Sequence, residues 1–285
     1  MRLVVGFVLS LVLSGAAAAE PKLMWEVKGL AQPESVVQDP ATGLLYVSNV
    51  AGAVMQKDGN GFIAKLRADG TIIAREWVKG LDGPAGLALH DRTLYVADID
   101  QLVAINVASG EIVNRYPAEG ALFLNDVATD EAGTVYVSDT PTNTIWRLKD
   151  GKFEPWLVSD ALNKPNGLLV QGDKLIVAPF GDMPSEGQEA KLAGLLVVSL
   201  EDQVITPLGG DAVIGNLDGL AALEPGTYLV TDWASGGLYQ VTAKGEAVRL
   251  LPLRQGSADL AYFPDKKTAI IPMMMNNSLL AYTLD

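Results

Sequence analysis

Leu124-Asn125-Asp126-Val127-Ala128-Thr129-Asp130-Glu131-Ala132-Gly133-Thr134-Val135-Tyr136-Val137-Ser138-Asp139 reads as an apolar strand, a turn and a second strand that ends on polar residues. The turn is Asp130-Glu131-Ala132-Gly133, rich in residues that accept tight backbone geometry. The unit recurs on both sides of this stretch. Pro33-Glu34-Ser35-Val36 leads to Tyr46-Val47-Ser48-Asn49, and Pro84-Ala85-Gly86-Leu87 leads to Tyr95-Val96-Ala97-Asp98. Pro165-Asn166-Gly167-Leu168 leads to Ile176-Val177-Ala178-Pro179, and Leu217-Asp218-Gly219-Leu220 leads to Leu229-Val230-Thr231-Asp232. Ser257-Ala258-Asp259-Leu260 leads to Ala269-Ile270-Ile271-Pro272. The second residue of each unit, an anchor, falls at 34, 85, 125, 166, 218 and 258, with spacings of 40 to 52 residues. An all-strand repeat of that period predicts propeller blades.

Most units supply two further strands across a turn. Leu102-Val103-Ala104-Ile105 pairs with Glu111-Ile112-Val113 across Ser109-Gly110, and Gly237-Leu238-Tyr239-Gln240-Val241 pairs with Glu246-Ala247-Val248 across Lys244-Gly245. Such hairpins give four strands per blade. The last unit has only a third strand, Leu279-Leu280-Ala281-Tyr282-Thr283, while Lys22-Leu23-Met24-Trp25-Glu26-Val27 precedes the first unit without a partner. The N-terminal strand is therefore expected to complete the last blade and close the ring, which removes an exposed sheet edge. The fold expected is all-β, a six-bladed β-propeller of four-stranded blades, formed as one domain over 20–285.

The first residues have another purpose. Arg2, the apolar run Leu3 to Leu13 and Ala17-Ala18-Ala19 form the three parts of a cleavable signal peptide over 1–19. The protein is expected to be periplasmic or secreted, with no membrane association after cleavage. The chain has 285 residues and no cysteine, which excludes thiolate nucleophiles, zinc thiolates and iron–sulfur clusters. Its net charge of −13 argues against nucleic acid as a partner.

The first strand of each blade lines a propeller's channel, so the anchors form a ring that reads Glu34, Ala85, Asn125, Asn166, Asp218, Ala258. Four of the six carry side-chain oxygens. Two carboxylates facing each other in a narrow channel repel, and a hard dication offsets that. Calcium takes six to eight oxygen ligands from carboxylates, carboxamides and water. Glu34, Asn125, Asn166 and Asp218 are thus candidate calcium ligands, with magnesium, manganese or zinc as alternatives; the lack of imidazole weighs against zinc. Asn166-Gly167 and Asp218-Gly219 also read as turn pairs, whereas Glu34 and Asn125 do not.

Asn49, Asp98, Asp139 and Asp232 end the second strands on the same side, where the following connections are expected to rim the mouth. Two connections are long, 50–60 and 180–192, and long loops on one face often shape a site. Asp58-Gly59-Asn60-Gly61 reads as a turn. Phe180, Trp233 and Met273-Met274-Met275 either line an apolar mouth or pack between blades. His90, the single histidine, is expected in a surface turn with Asp91 and Arg92.

These features resemble the SMP-30/gluconolactonase/LRE-like family of six-bladed propellers, a group related to diisopropyl fluorophosphatase, paraoxonase and strictosidine synthase propellers. The resemblance spans 20–285 and is most specific at 125–139 and at Pro165-Asn166-Gly167-Leu168. It implies a divalent metal on Glu34, Asn125, Asn166 and Asp218, and hydrolysis of a lactone or related ester. Sugar-lactonase members carry an arginine two residues before the asparagine matched to Asn125; this chain has Phe123 there. That leaves a sugar lactone and a less polar lactone or ester both open.

The expected reaction is metal-assisted hydrolysis of a small molecule, with Asp218 as general base. Asn125, Phe123, Phe180 and Trp233 are expected to contact substrate. The alternatives are a non-catalytic exported propeller that binds a small molecule or protein partner at the mouth, and a metal-dependent lyase or isomerase on the same scaffold.

Overall fold

The computed structural model describes residues 20–183, 192–210 and 212–284. The expected signal peptide lies outside them, as do residues 184–191 of the second long connection. The described residues form six four-stranded antiparallel sheets arranged as the blades of a propeller, each ordered along the chain from the channel outward. The inner strands are Pro33–Gln38, Pro84–His90, Leu124–Thr129, Pro165–Gln171, Leu217–Glu224 and Ala261–Phe263. The last blade takes its outer strand from the other end of the chain: Lys22–Lys28 pairs with Ser278–Thr283 from Lys22 opposite Thr283 to Lys28 opposite Ser278. The N-terminal strand therefore closes the ring. Asn277 secures the junction, its Oδ1 accepting from Gln32 N (2.8 Å) and its backbone oxygen from Leu30 N (3.1 Å).

Burial follows the distance of a strand from the axis. Second strands such as Leu45–Asn49 and Thr268–Met273 are buried throughout, whereas the outer strand Lys22–Lys28 is largely exposed. Apolar side chains collect between successive blades. Tyr46 and Ile63 of the first blade pack against Leu94, Val96, Val103 and Ile105 of the second. The ring-closing interface sets Leu45 and Val47 of the first blade against Ile270, Leu279 and Ala281 of the last. Each large aliphatic side chain removed from water there contributes about 1.5–3 kcal/mol. Among the described residues no helix is long and apolar enough to cross a membrane.

The polar ends of the second strands are explained by a bulge. Register shifts in five inner strands, between Pro33 and Val36, Pro84 and Leu87, Leu124 and Val127, Pro165 and Gly167, and Leu217 and Leu220. Each shift falls at the anchor, where a bulge re-aims side chains and interrupts the ladder. Hydroxyls on the second strand take up the freed amides: Ser48 Oγ accepts from Ser35 N (2.8 Å), Ser138 Oγ from Asp126 N (2.9 Å) and Thr231 Oγ1 from Gly219 N (2.7 Å). Ser138 and Thr231 then donate to the anchor carbonyl of the next blade, Asn166 O (2.8 Å) and Ala258 O (2.9 Å).

The polar residues that end these second strands are structural, and the connections that follow three of them line one mouth as expected, through Val50, Thr140, Pro141 and Trp233. Asn49 Oδ1 accepts from Ala31 N (3.0 Å), Asp98 Oδ1 from Asp82 N and Gly83 N (both 2.8 Å), and Asp139 from Leu122 N (3.2 Å) and Phe123 N (3.0 Å). These carboxylates and this carboxamide hold the loop that enters the inner strand. Asp232 caps its own turn through Ala234 N and Ser235 N.

Two other expectations shift. The last inner strand is shorter than its repeat unit: Ala258 lies outside it, tied by Ala258 N to Pro272 O (3.0 Å) and Asp259 N to Glu34 O (3.0 Å). His90 ends the second inner strand, rather than sitting in the turn, with its ring beside Asp91 (3.6 Å).

Candidate functional site

Glu34, Asn125, Asn166 and Asp218 meet on the floor of one cavity of ≈ 260 Å³ at one mouth of the channel. Each is the bulged anchor of its inner strand, and each is almost fully buried. Ala85 and Ala258 complete the ring with methyl groups, both fully buried. Phe123, Phe180, Trp233 and Met274 stand around the floor as walls. The methionine run divides three ways: Met273 joins the core between the last two blades, Met274 faces the mouth and Met275 is exposed. The cause is the single 3₁₀ turn Met274–Asn276 that ends the strand.

The floor contains polar atoms without partners. Among the described residues five buried side-chain nitrogen or oxygen atoms make no hydrogen bond, and three of them are Glu34 Oε2, Asn125 Oδ1 and Asp218 Oδ1. A buried acceptor left without a partner costs about 1–3 kcal/mol, and more when charged. The other halves of Asn125 and Asp218 are hydrogen-bonded. Asn125 Nδ2 donates to Thr140 Oγ1 (3.2 Å), which donates to Pro165 O (2.8 Å). Asn166 Nδ2 donates to Asp218 Oδ2 (3.3 Å). Both carboxamides are thereby oriented.

A second tier lies one residue beyond each anchor, on five of the inner strands and just ahead of the sixth. Those positions read Ser35, Gly86, Asp126, Gly167, Gly219 and Asp259, and Asp126 and Asp259 are the residues that the repeat pattern does not reveal. Their oxygens are satisfied. Asp126 accepts from Val127 N and Leu168 N (both 2.7 Å), and Asp259 from Ser35 Oγ (2.6 Å) and from the amides of Leu260 and Leu220. Glycines let the inner strands come this close: a Cβ on Gly167 would sit 2.1 Å from Asp218 O, and one on Gly219 2.6 Å from Asp259 Cα.

Four carboxyl groups are thus buried together, and no lysine, arginine or histidine lines either end of the channel among the described residues. Burial, followed by the charges of Asp218, Asp259 and Asp126, holds Glu34 well above the usual carboxylate range. Burial and Asp259 do the same to Asp218 and to Asp126. Burial pushes Asp259 up to about 7. Desolvation and like charge both disfavour the ionised forms, which is the electrostatic setting a cation relieves.

The donor set fits a hard cation. Among the described residues no three acid or imidazole side chains converge on one point. The convergence is of two carboxylates with two carboxamides, all oxygen donors, and three of the oxygens have nothing else to bind. That is calcium or magnesium chemistry rather than zinc chemistry. A larger cavity of ≈ 540 Å³ opens at the opposite mouth, lined by Val36, Leu87, Val127, Leu168 and Leu220 above Asp126 and Asp259. Among the described residues no buried side-chain nitrogen or oxygen without a hydrogen bond lines it, which makes the smaller cavity the candidate site.

No protein-family model and no curated protein matches the chain. Solved structures do share its fold. A gluconolactonase from Xanthomonas campestris superposes with a TM-score of 0.69 at 15% identity, over 96% of this chain and 99% of that one. A structural-genomics target described as a candidate gluconolactonase gives 0.68 at 18% identity, over 95% and 93%. Virginiamycin B lyase from Staphylococcus aureus gives 0.62 at 12% identity, over 93% and 100%.

Proposed function

We propose that the protein is an exported, divalent-metal-dependent hydrolase of a lactone or related ester. The observation that carries this reading is the set of unpartnered oxygens of Glu34, Asn125 and Asp218 on the floor of an apolar cavity. Glu34 Oε2, Asn125 Oδ1 and Asp218 Oδ1, joined by the Asn166 carboxamide, would hold calcium, with magnesium or manganese as substitutes. A bound dication would polarise the substrate carbonyl and stabilise the negative charge that develops on its oxygen.

The chain's own groups do the rest. The two oxygens of Asp218 divide the work. Oδ1 would help to hold the cation, and Oδ2, which accepts the long hydrogen bond from Asn166, takes a proton from the attacking water. The new bond forms between water oxygen and the carbonyl carbon, the carbon–oxygen bond of the ring or ester breaks, and the proton passes from Asp218 to the departing alkoxide. Thr140 keeps the Asn125 oxygen aimed at the floor. The aromatic walls exclude bulk water and strengthen each electrostatic contact.

The gluconolactonase folds support hydrolysis over the lyase alternative, and so does the placement of His90. A catalytically inactive form of the virginiamycin lyase is a histidine-to-alanine variant. In this chain the single histidine lines neither cavity. A panel of lactones and aryl esters, assayed with calcium and with chelator, tests the proposal. Turnover that chelator abolishes and Asp218→Asn removes is the expected result. Tight calcium binding with no turnover of any member would favour a non-catalytic binder.

A further inference from the structure

Above the floor, the cavity is hydrocarbon. Its walls are Phe123, Phe180, Trp233 and Met274, with Val50 and Val54 between them. Among the described residues the one wall hydroxyl, Thr140, is already engaged, accepting from Asn125 and donating to Pro165 O. No cationic side chain among the described residues lines the space. A substrate body that carried several hydroxyls would lose water at each one and find at most the Trp233 indole N–H and the engaged Thr140 hydroxyl in exchange.

Three of the walls belong to one hydrogen-bonded rim that crosses three blades. Asn216, 1% exposed, donates from Nδ2 to Phe180 O (2.7 Å) and Asp182 O (3.0 Å). Its backbone oxygen accepts from Trp233 N (2.9 Å), Trp233 O accepts from Gly256 N (2.8 Å), and Gly256 O accepts from Met274 N (2.8 Å). The Phe180 and Trp233 rings meet across the mouth at 6.2 Å and 58°. The Asn216 side chain is the link that ties the Phe180 segment to this rim.

We propose that the cavity selects a compact lactone or ester with a hydrocarbon body, that Phe123, Phe180, Trp233 and Met274 set that preference, and that Asn216 is the residue that positions Phe180 against Trp233. The reaction part rests on the hydrolase reading above. The cavity holds roughly nine waters at ~30 Å³ each, which matches a lactone ring bearing a short alkyl chain. An apolar pocket rejects a single added hydroxyl by about 100-fold, and each well-placed methylene gains about 10-fold or more.

The test compares δ-octalactone with glucono-1,5-lactone, two six-membered lactones, on the calcium-loaded full chain. Calorimetry with the lactam analogue of δ-octalactone, which cannot be turned over in the assay, measures binding separately. The alkyl lactone is expected to lead in kcat/KM by about 100-fold or more. Phe123→Arg and Phe180→Ala should each erode that lead about tenfold through KM. Asn216→Asp, which sets a carboxylate against the carbonyls of Phe180 and Asp182, should raise KM and weaken the lactam while kcat and calcium affinity hold. Equal or better turnover of the gluconolactone overturns the inference and leaves the hydrolase standing. Lactam binding without turnover of either lactone overturns the hydrolase and leaves the ligand class standing. Neither binding nor turnover removes both. An unchanged KM in a folded Asn216→Asp removes the positioning role, and Phe180→Ala still tests the wall if that variant does not fold.

Discussion

The two tiers of the channel carry the same kind of residue on adjacent positions of the repeat unit, yet they are in different chemical states. In the upper tier Glu34, Asn125 and Asp218 each leave one oxygen without a partner. In the lower tier the oxygens of Asp126 and Asp259 are occupied by backbone amides and the Ser35 hydroxyl. The inner strands do not pair with one another, so something must stitch them together around the axis. The lower tier does this: Asp126 reaches the fourth blade at Leu168, and Asp259 reaches the first at Ser35. Acidity alone therefore does not mark the functional centre. What marks it is unmet hydrogen-bonding capacity in a buried place, since that is the capacity a ligand fills.

The largest effect should come from Asp218→Asn. It keeps the shape, removes the charge and leaves Oδ2 unable to take a proton, so kcat/KM for the responsive lactone should fall more than ~100-fold. Asp126→Ala should do the reverse. It strands the amides of Val127 and Leu168 at about 1–3 kcal/mol each, lowering thermal stability by a similar amount with calcium and with chelator. Should Asp126→Ala instead lose only the calcium response, the division between tiers collapses. Glu34→Gln is more delicate. Under the proposed function, calcium at about 100 times its Kd should stabilise the wild type by ~2.7 kcal/mol, and the variant should lose that gain. In chelator the variant should melt roughly 2–4 °C higher, about 1 kcal/mol, because one of four mutually repelling buried carboxyls is gone. Thermal scans of both proteins in both buffers give the comparison directly.

The upper tier is legible in the sequence because the anchor is a repeat position, and oxygen side chains at a repeat position stand out against Ala85 and Ala258. The lower tier is written at the next position and stays hidden for a physical reason. In a regular strand neighbouring side chains point to opposite faces, so Asp126 and Asp259 should face away from the channel. The bulge at the anchor breaks that alternation at Asp126, and Asp259 precedes the short last inner strand altogether; neither departure leaves a mark in composition. The Ser-Asn, Ser-Asp and Thr-Asp endings are visible as repeats, but their meaning depends on which amides the bulge sets free. Asn216 has no signal at all: it has no counterpart in the other units, and its partners are backbone carbonyls 36 and 34 residues away. The short last inner strand is hidden in a similar way, since Ser257-Ala258-Asp259-Leu260 matches its unit yet is held by single hydrogen bonds rather than a ladder.

The smallest predicted effect tests whether the upper tier is aimed or merely present. Thr140 touches the floor only through the Asn125 amide, whose Nδ2 it accepts at 3.2 Å. Without that hydroxyl the carboxamide has no reason to keep its oxygen toward the cavity, and a flip would present a donor to a cation. Partners that orient a metal ligand typically matter by about 10–100-fold, and a 3.2 Å contact between neutral groups belongs at the low end. Thr140→Val should therefore weaken calcium binding about tenfold by calorimetry, and Thr140→Ser should restore it. In the chelator-treated protein the valine variant should lose about 1–3 kcal/mol of stability, because Pro165 O and Asn125 Nδ2 are left without the hydroxyl that joined them, and Thr140→Ser should restore that as well. If Thr140→Val binds calcium as the wild type does while Asn125→Ala does not, the orphaned oxygen matters but its aim is set elsewhere.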